Sequence, residues 1–445
     1  MLHKIVVEGG RRLAGSVRPS GSKNAVLPML AATLLAEGPC ELRGVPNLSD
    51  VHLMLEILEE LGVETSFVDG VVRTEVIDPS KTVAPYELVS QMRASITVLG
   101  PLLATRKRAK VATPGGCVIG IRPVDLHLKG LRAIGAEIET LGGYLEARNR
   151  EMRGRPVFLG GPAGSTVTGT ANVLMCAVRT PGTTIIEQAA CEPEIEDLAL
   201  FLREMGAQID GVGTPRLTVT GVEHLQGVTH EIIADRIEAA TYMIGAAMTE
   251  GDVTVEHCRP DHLFAVSDLL EQTGSSVDLV DDTTLRVRGT RYVKAIDVTT
   301  FAYPGFPTDV QAQMMSLLSL SDGLSVVTDT IYPDRFHHVA EYNRMGARIR
   351  KIGNTAVVQG VEFLQGAPVK ATDLRAGAGL ILAGLAAKGT TEVYEVQHID
   401  RGYESIEEKF ISLGGQIHRE PIPLRRRRAD RIDDSEPVFA PVKAA

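Results

Sequence analysis

Within eleven residues, 117–127, the chain carries a thiol, a guanidinium, a carboxylate and an imidazole: Cys117, Arg122, Asp125 and His127. They lie in TPGGCVIGIRPVDLH, 113–127, where Gly115, Gly116 and Gly120 free the backbone and Arg122 is expected to open a helix. A thiol becomes reactive as its thiolate, which nearby positive charge or a helix N-terminus stabilises. Arg122 and the helix after it supply both. Taken alone, the loop fits a reactive cysteine and an inert surface cysteine equally well.

A second kind of chemistry is positional. Charged residues recur where helices are expected to start: Lys23, Arg93, Asp235 with Arg236, Asp309, and Asp373 with Arg375 at one set, and Arg122, Arg259, Arg335 and Arg401 at another. Helix N-termini expose unpaired N–H groups and the positive end of the macrodipole, so Asp there is an ordinary cap and a cation is opposed. A group of such cations calls for an anion among them, which points to a phosphorylated or carboxylated ligand. Taken singly, each arginine also fits a surface ion pair, since RPD (259–261), PDR (333–335) and DRG (400–402) each set an aspartate beside it. Asp309, in YPGFPTDVQ, has the residue type of an N-cap, and the Pro-Gly-Phe-Pro turn before it would fix its carboxylate. His127, His338 and His398 read as structural, and Glu192, Glu194 and Glu196 as a helix start.

Composition narrows the classes. A net charge of −10 over 445 residues argues against a protein that coats nucleic acid, which would need a basic surface. The most apolar segments, 25–36 and 376–387, are too short to span a bilayer, and MLHKIVVEGG lacks the apolar stretch of a secretory leader. Cys40, Cys117, Cys176, Cys191 and Cys258 are odd in number and lack metal-ligand spacing, so a reduced, cytoplasmic protein without a metal is expected. No GxGxxG, Walker, HExxH or GxSxG motif in its proper setting supports nucleotide hydrolysis, redox chemistry or metalloproteolysis.

The elements that must hold these residues form a repeat. GVET (62–65), GAEI (135–138), GAQI (206–209), GSSV (274–277), GARI (346–349) and GGQI (414–417) recur about every 70 residues. In each unit an Ala-, Leu- and Met-rich helix (23–35, 93–104, 172–178, 236–248, 310–318 and 374–387) precedes a short strand. A second, amphipathic helix follows, as at 53–61, 195–205 and 338–345, and then one or two strands. Such βαβαββ-like units are too small to fold alone and must pack on one another. The fold expected is α/β, with two domains of three units each: 22–232, and 1–21 plus 233–420, the N-terminal strand joining the C-terminal half. The tail 421–445, Pro-rich with an arginine run at 425–428, is expected to be disordered.

SGSKNAVLP (20–28), QMRAS (91–95), PGGCVIGIRPVDLHLKG (114–130), PEIEDLALFL (193–202), DRIEAATYM (235–243), PGFPTDVQAQ (304–313), DRFHHVAEYNRMGA (334–347), DLRAGAGLILAG (373–384) and HIDRGYE (398–404) occur in order. Together they resemble the UDP-N-acetylglucosamine enolpyruvyl transferases, over residues 1 to about 420. The resemblance implies two inside-out α/β barrel-like domains around a cleft. It implies transfer of the enolpyruvyl group of phosphoenolpyruvate to the 3-hydroxyl of UDP-N-acetylglucosamine, with release of phosphate, in peptidoglycan synthesis. By resemblance Cys117 is the proton donor and the target of fosfomycin, and Asp309 takes the hydroxyl proton. Lys23, Asn24, Arg122 and Arg401 match the phosphoenolpyruvate site. Asn24, Arg93, Arg122, Pro123, Val124, Asp125, Leu126, Ser165, Thr166, Val167, Asp309 and Ile331 match positions that hold the sugar nucleotide. Arg335, Arg375 and His127 match further active-site positions; no cofactor, metal, nucleic acid or membrane is implied. Ala171 stands where the family frequently has Glu, and Val118 and Ile121 where smaller residues are usual. The sister transferase acting on shikimate 3-phosphate shares the chemistry, but the Cys117 loop and SGSKNAVLP set this chain apart from it.

Overall fold

The structure is a computed structural model that describes residues 3–114, 124–162 and 164–422. Cys117, Arg122 and Pro123 lie outside the described residues, as do 423–445 of the tail.

Six helices are apolar around nearly their whole circumference: Lys23–Ala32, Leu99–Arg106, Val167–Ala177, Arg236–Met248, Gln311–Leu318 and Leu374–Ala386. A helix with no polar face has nothing to offer water and belongs inside. In Arg236–Met248 every residue after the arginine is buried. Small residues let these helices approach closely: a Cβ on Gly100 would lie 2.1 Å from the carbonyl oxygen of Asn172 on the neighbouring helix.

The helix starts differ from expectation in three places. The segment predicted from 93 divides into a 3₁₀ turn, Arg93–Val98, and an α-helix from Leu99, and the one predicted from 310 opens with the 3₁₀ turn Thr308–Val310. The helix predicted at 172–178 begins at Val167, because Thr166 caps it by accepting from the Gly169 N–H. The helix expected to open at Arg122 spans Asp125–Ala133 among the described residues. Second helices run Ser49–Glu60, Pro193–Glu204 and Val339–Arg344.

Outside the helices the described residues form six four-stranded sheets, each a parallel pair followed by two further antiparallel strands, which are a hairpin in five of them. Pro156–Phe158 pairs in parallel with Thr183–Glu187, which pairs antiparallel with Arg216–Thr220, whose hairpin partner is Gln208–Asp210. Burial alternates along these strands, one face on the helices and one toward water. Two sheets borrow a strand from the N-terminus. Ala14–Val17 completes the sheet of Asp252–Val255, and His3–Glu8 inserts between Thr390–Tyr394 and Gln416–Pro421.

Buried apolar side chains form two cores, one drawn from 25–232 and one from 5–17 with 237–417; they define two lobes. The chain passes twice between them, and the passages run side by side: Ser22 N–H donates to Ile233 O at 2.7 Å and Asp235 N–H to Ser20 O at 2.8 Å. No helix among the described residues is long and apolar enough to cross a membrane.

His230 fastens the second passage. Its Nε2 lies 3.0 Å from Asp197 Oδ1 and its Nδ1 2.8 Å from Glu204 Oε2. Burial lowers its basicity, but the two carboxylates outweigh burial and lift its pKa above the ordinary 6.5. A group whose pKa rises on folding stabilises fully below its unfolded pKa, and that contribution fades as pH climbs through the folded value. The stability advantage of the wild-type chain over His230→Gln is therefore largest below about pH 6.5 and shrinks as pH rises above it. Urea unfolding on both sides of that pH checks it; an advantage independent of pH contradicts the imidazolium assignment.

Candidate active site

A cavity of about 520 Å³ opens between the lobes, and at its wall meet the first turns of four of the buried helices and the 3₁₀ turns that lead into the other two. Lys23, Arg93 and Val167 come from the first lobe, and Arg236, Asp309 and Leu374 from the second. Around them stand Asn24, Asp125, Leu126, Ser165 and Thr166 on one side and Ile331 and Arg335 on the other. The repeat explains the convergence: equivalent helices start at equivalent places, and two lobes facing each other aim six N-termini at one space.

The cations gathered here are matched by carboxylates of the chain itself. Asp309 does not cap its helix. Arg335 Nη1 donates to its Oδ1 at 2.6 Å, Arg375 Nε lies 3.6 Å from Oδ2, and Asn24 Nδ2 reaches Oδ2 at 3.4 Å from the other lobe. Burial alone would raise its pKa, yet Arg335 and Arg375 outweigh burial and hold the carboxyl far below the usual range. It stays ionised and a quarter exposed to the cavity. Arg335 and Arg375 are in turn steadied from below, Arg335 by Asp373 at 3.7 Å and Arg375 by Asp235 at 3.9 Å. Those two aspartates are also the helix caps, accepting from Arg375 and Ala376 N–H and from Ile237 and Glu238 N–H.

A second cluster joins Lys23, Asp50 and Arg401. Lys23 Nζ lies 2.9 Å and Arg401 Nε 2.8 Å from the two oxygens of Asp50. A third pairs Arg236 Nε with Glu194 Oε1 at 2.9 Å, while the Tyr303 N–H donates to Glu192 Oε1 at 3.4 Å. Burial, with Glu194 adding to it, raises the pKa of Glu192. Each cluster spans the two lobes, so the cleft is closed in this structure.

The expected neighbour pairs hold in one case of three. Arg259 pairs with Asp261, Nη2 to Oδ2 at 2.7 Å. Arg335 turns from Asp334 to Asp309, and Arg401 from Asp400 to Asp50, leaving Asp400 to Arg419. Arg375 lies fully buried beneath Asp309, its guanidinium 5.1 Å from the centre of the Tyr403 ring. Val124 immediately precedes the helix Asp125–Ala133. His127 is buried behind the cavity, 3.1 Å from both Asn172 Nδ2 and Thr168 Oγ1. His338 is buried between Phe336 and Tyr342, and burial pushes its pKa down to about 4.

Asp50 and Asp329 are functional-site supports that the sequence reading missed. Asp329 is fully buried and accepts from Thr308 Oγ1 at 2.6 Å and from the N–H groups of Ile331 and Tyr332 at 3.0 and 2.7 Å, tying the Asp309 turn to the Ile331 loop. Its one sequence signal is an aspartate ending an apolar strand. Cys40, Cys176, Cys191 and Cys258 are free, and burial raises the pKa of each, Cys176 to about 12 and Cys258 to about 11. No cluster of metal-binding side chains occurs among the described residues.

The sequence pattern of EPSP synthase (3-phosphoshikimate 1-carboxyvinyltransferase) matches residues 7–410. The chain belongs to that family. Within the family it is 51% identical over 419 residues to UDP-N-acetylglucosamine 1-carboxyvinyltransferase 2 of Carboxydothermus hydrogenoformans, covering 94% of this chain and 99% of the relative. It is 49% identical over 418 residues to UDP-N-acetylglucosamine 1-carboxyvinyltransferase of Methylacidiphilum infernorum, with the same coverage. The enolpyruvyl transferase NikO from Streptomyces tendae superposes with a TM-score of 0.84 at 22% identity, over 95% of this chain and 100% of that one. EPSP synthase from Acinetobacter baumannii gives 0.73 at 18%, over 94% and 100%. The fold is that of the enolpyruvyl transferases, two inside-out α/β lobes of three units each.

Removing one partner of a buried ion pair leaves the other uncompensated, which costs about 3–5 kcal/mol. Asp309→Asn, which strips the nearest counter-charge from two buried arginines, is expected to lower stability by an amount in the lower part of that range, since Asp373 and Asp235 remain. Urea unfolding checks it, with the far-UV spectrum unchanged. Stability equal to wild type contradicts the pairing.

Proposed function

We propose that the chain transfers the enolpyruvyl group of phosphoenolpyruvate to the 3-hydroxyl of UDP-N-acetylglucosamine and releases phosphate, the first committed step of peptidoglycan synthesis. The observation that carries this reading is identity of about half, along 94% of the chain, to relatives that bear the name of that activity. The cavity agrees in chemistry: two anionic substrates need cations, and a hydroxyl nucleophile needs a carboxylate.

The reaction asks for three things. The vinyl CH₂ of phosphoenolpyruvate takes a proton, leaving an oxocarbenium-like carbon; the sugar hydroxyl adds to that carbon and gives up its proton; the tetrahedral ketal then loses a proton from the new methyl group and expels phosphate. In this assignment Cys117 supplies the first proton and Asp309 accepts the hydroxyl proton. A carboxylate held between two arginines is a weak base, yet it suffices, because oxygen bonding to a cationic carbon becomes strongly acidic. Lys23, Arg122 and Arg401 hold phosphoenolpyruvate beside Asn24, and Arg93 and Arg335 complete the positive wall, with Arg375 behind Asp309. Ser165, Thr166 and Val167, at a helix start, hold the nucleotide with Pro123, Val124, Asp125, Leu126 and Ile331, while His127 props the helix behind them. We assign 22–232 to one domain and 1–21 with 233–420 to the other.

Phosphate release with phosphoenolpyruvate and either acceptor tests the reading. Turnover with UDP-N-acetylglucosamine and none with shikimate 3-phosphate is expected; the reverse assigns the chain to the sister activity. Fosfomycin is expected to add once per chain, since the pKa of each of the other four thiols is raised. Cys117→Asp keeps an acid, so it retains partial turnover and takes up no fosfomycin by mass spectrometry. Continued alkylation of that variant contradicts the Cys117 assignment.

A further inference from the structure

We infer that Asp50 is a positioning residue for this reaction, the carboxylate through which Lys23 of one lobe and Arg401 of the other are brought to a shared anion. The inference rests on the functional reading above for the roles of Lys23 and Arg401, and on geometry for the rest. Asp50 lies in the first turn of the helix Ser49–Glu60, where the macrodipole favours its charge. Its side chain is 4% exposed, and its two oxygens are divided between the cations, Lys23 Nζ at 2.9 Å and Arg401 Nε at 2.8 Å. Burial opposes the charge, but Lys23 and then Arg401 outweigh it, so the carboxyl stays ionised.

The contact is part of a clasp. Three residues beyond Arg401, Glu404 accepts from the Asn47 N–H and from Ser20 Oγ, both at 3.0 Å, and Arg401 Nη2 donates to Gln91 O at 3.4 Å. The segment 401–404 of the second lobe is thus fastened to the first along one edge of the cleft. Two cations drawn to one substrate repel each other, and a buried carboxylate between them offsets that repulsion. Loss of its charge would not weaken attraction for an anion; it would loosen the geometry in which the cations act. The expected signature falls on kcat and on closure rather than on the KM for phosphoenolpyruvate.

The experiment compares wild type, Asp50→Asn, Arg401→Gln and the double variant, each checked by far-UV circular dichroism. Asp50→Asn is expected to lower kcat at least about tenfold with the phosphoenolpyruvate KM within about threefold of wild type. In small-angle scattering it raises at least about fivefold the UDP-N-acetylglucosamine concentration at which the chain compacts. The kcat loss of the double variant falls short of the product of the two single losses, since Asp50 acts in part through that arginine. A kcat within about twofold of wild type overturns the inference, as do losses that multiply in the double variant or an unshifted compaction midpoint. If Asp50→Asn fails to fold, the double variant, which removes a cation as well, decides through its comparison with Arg401→Gln. A wild-type chain that turns over neither acceptor overturns the functional reading instead, and the clasp is then judged by compaction alone.

Discussion

The whole site depends on internal neutralisation of cations at helix N-termini. A cation in that place opposes the macrodipole at a cost of about 0.3–1 kcal/mol. The larger cost is burial without a partner, several kcal/mol for each charge. The second term decides the architecture. Asp50 and Glu194 each sit against a cation that the other lobe supplies, and Asp309, held between two arginines of its own lobe, takes the Asn24 amide from the other. Where the lobes meet, opposite charges meet, and Lys23, Arg236 and Arg335 line the cavity with carboxylates beside them.

The repeat supplies the means. Six equivalent helices, apolar all round, have to be buried, and three pack together in each lobe behind a shell of sheets. Burial of the helix bodies forces their polar first turns to one end. Facing lobes turn two such ends into one cleft, and the borrowed strands His3–Glu8 and Ala14–Val17 lock the N-terminus into the second lobe so that the chain crosses only at 20–22 and 233–235. Function then depends on what each unit adds at its helix start: a lysine in one, an arginine in another, an aspartate in a third.

Much of this was legible in the sequence because it rests on local rules. Apolar runs of helical length, the glycine that ends each second helix and the charged residue at each helix start are features of single segments, and the convergence of Lys23, Arg93 and Asp309 on one cavity follows from their equivalence. The pairings were not legible. PDR and DRG invited Arg335 and Arg401 to take the aspartate next door, yet both reach carboxylates more than twenty residues away, because only tertiary packing brings Asp309 and Asp50 close. The start of Val167–Ala177 was hidden for a different reason: Thr166 to Thr170 has weak helix propensity, and a threonine cap with burial of the following turn overrides it. Asp50 and Asp329 escaped notice because an acid in a first helical turn, or at the end of a strand, is unremarkable until its partners are known.

The central claim is that Asp309 is an ionised carboxylate fixed between two guanidinium groups at the mouth of the site. The most direct measurement is a ¹³C NMR titration of the aspartate carboxyl carbons, with the Asp309 resonance assigned by its loss in Asp309→Asn. The account predicts a resonance at the ionised position that does not move between about pH 7 and about pH 4, where ordinary aspartates begin to titrate. A midpoint within that interval would contradict it.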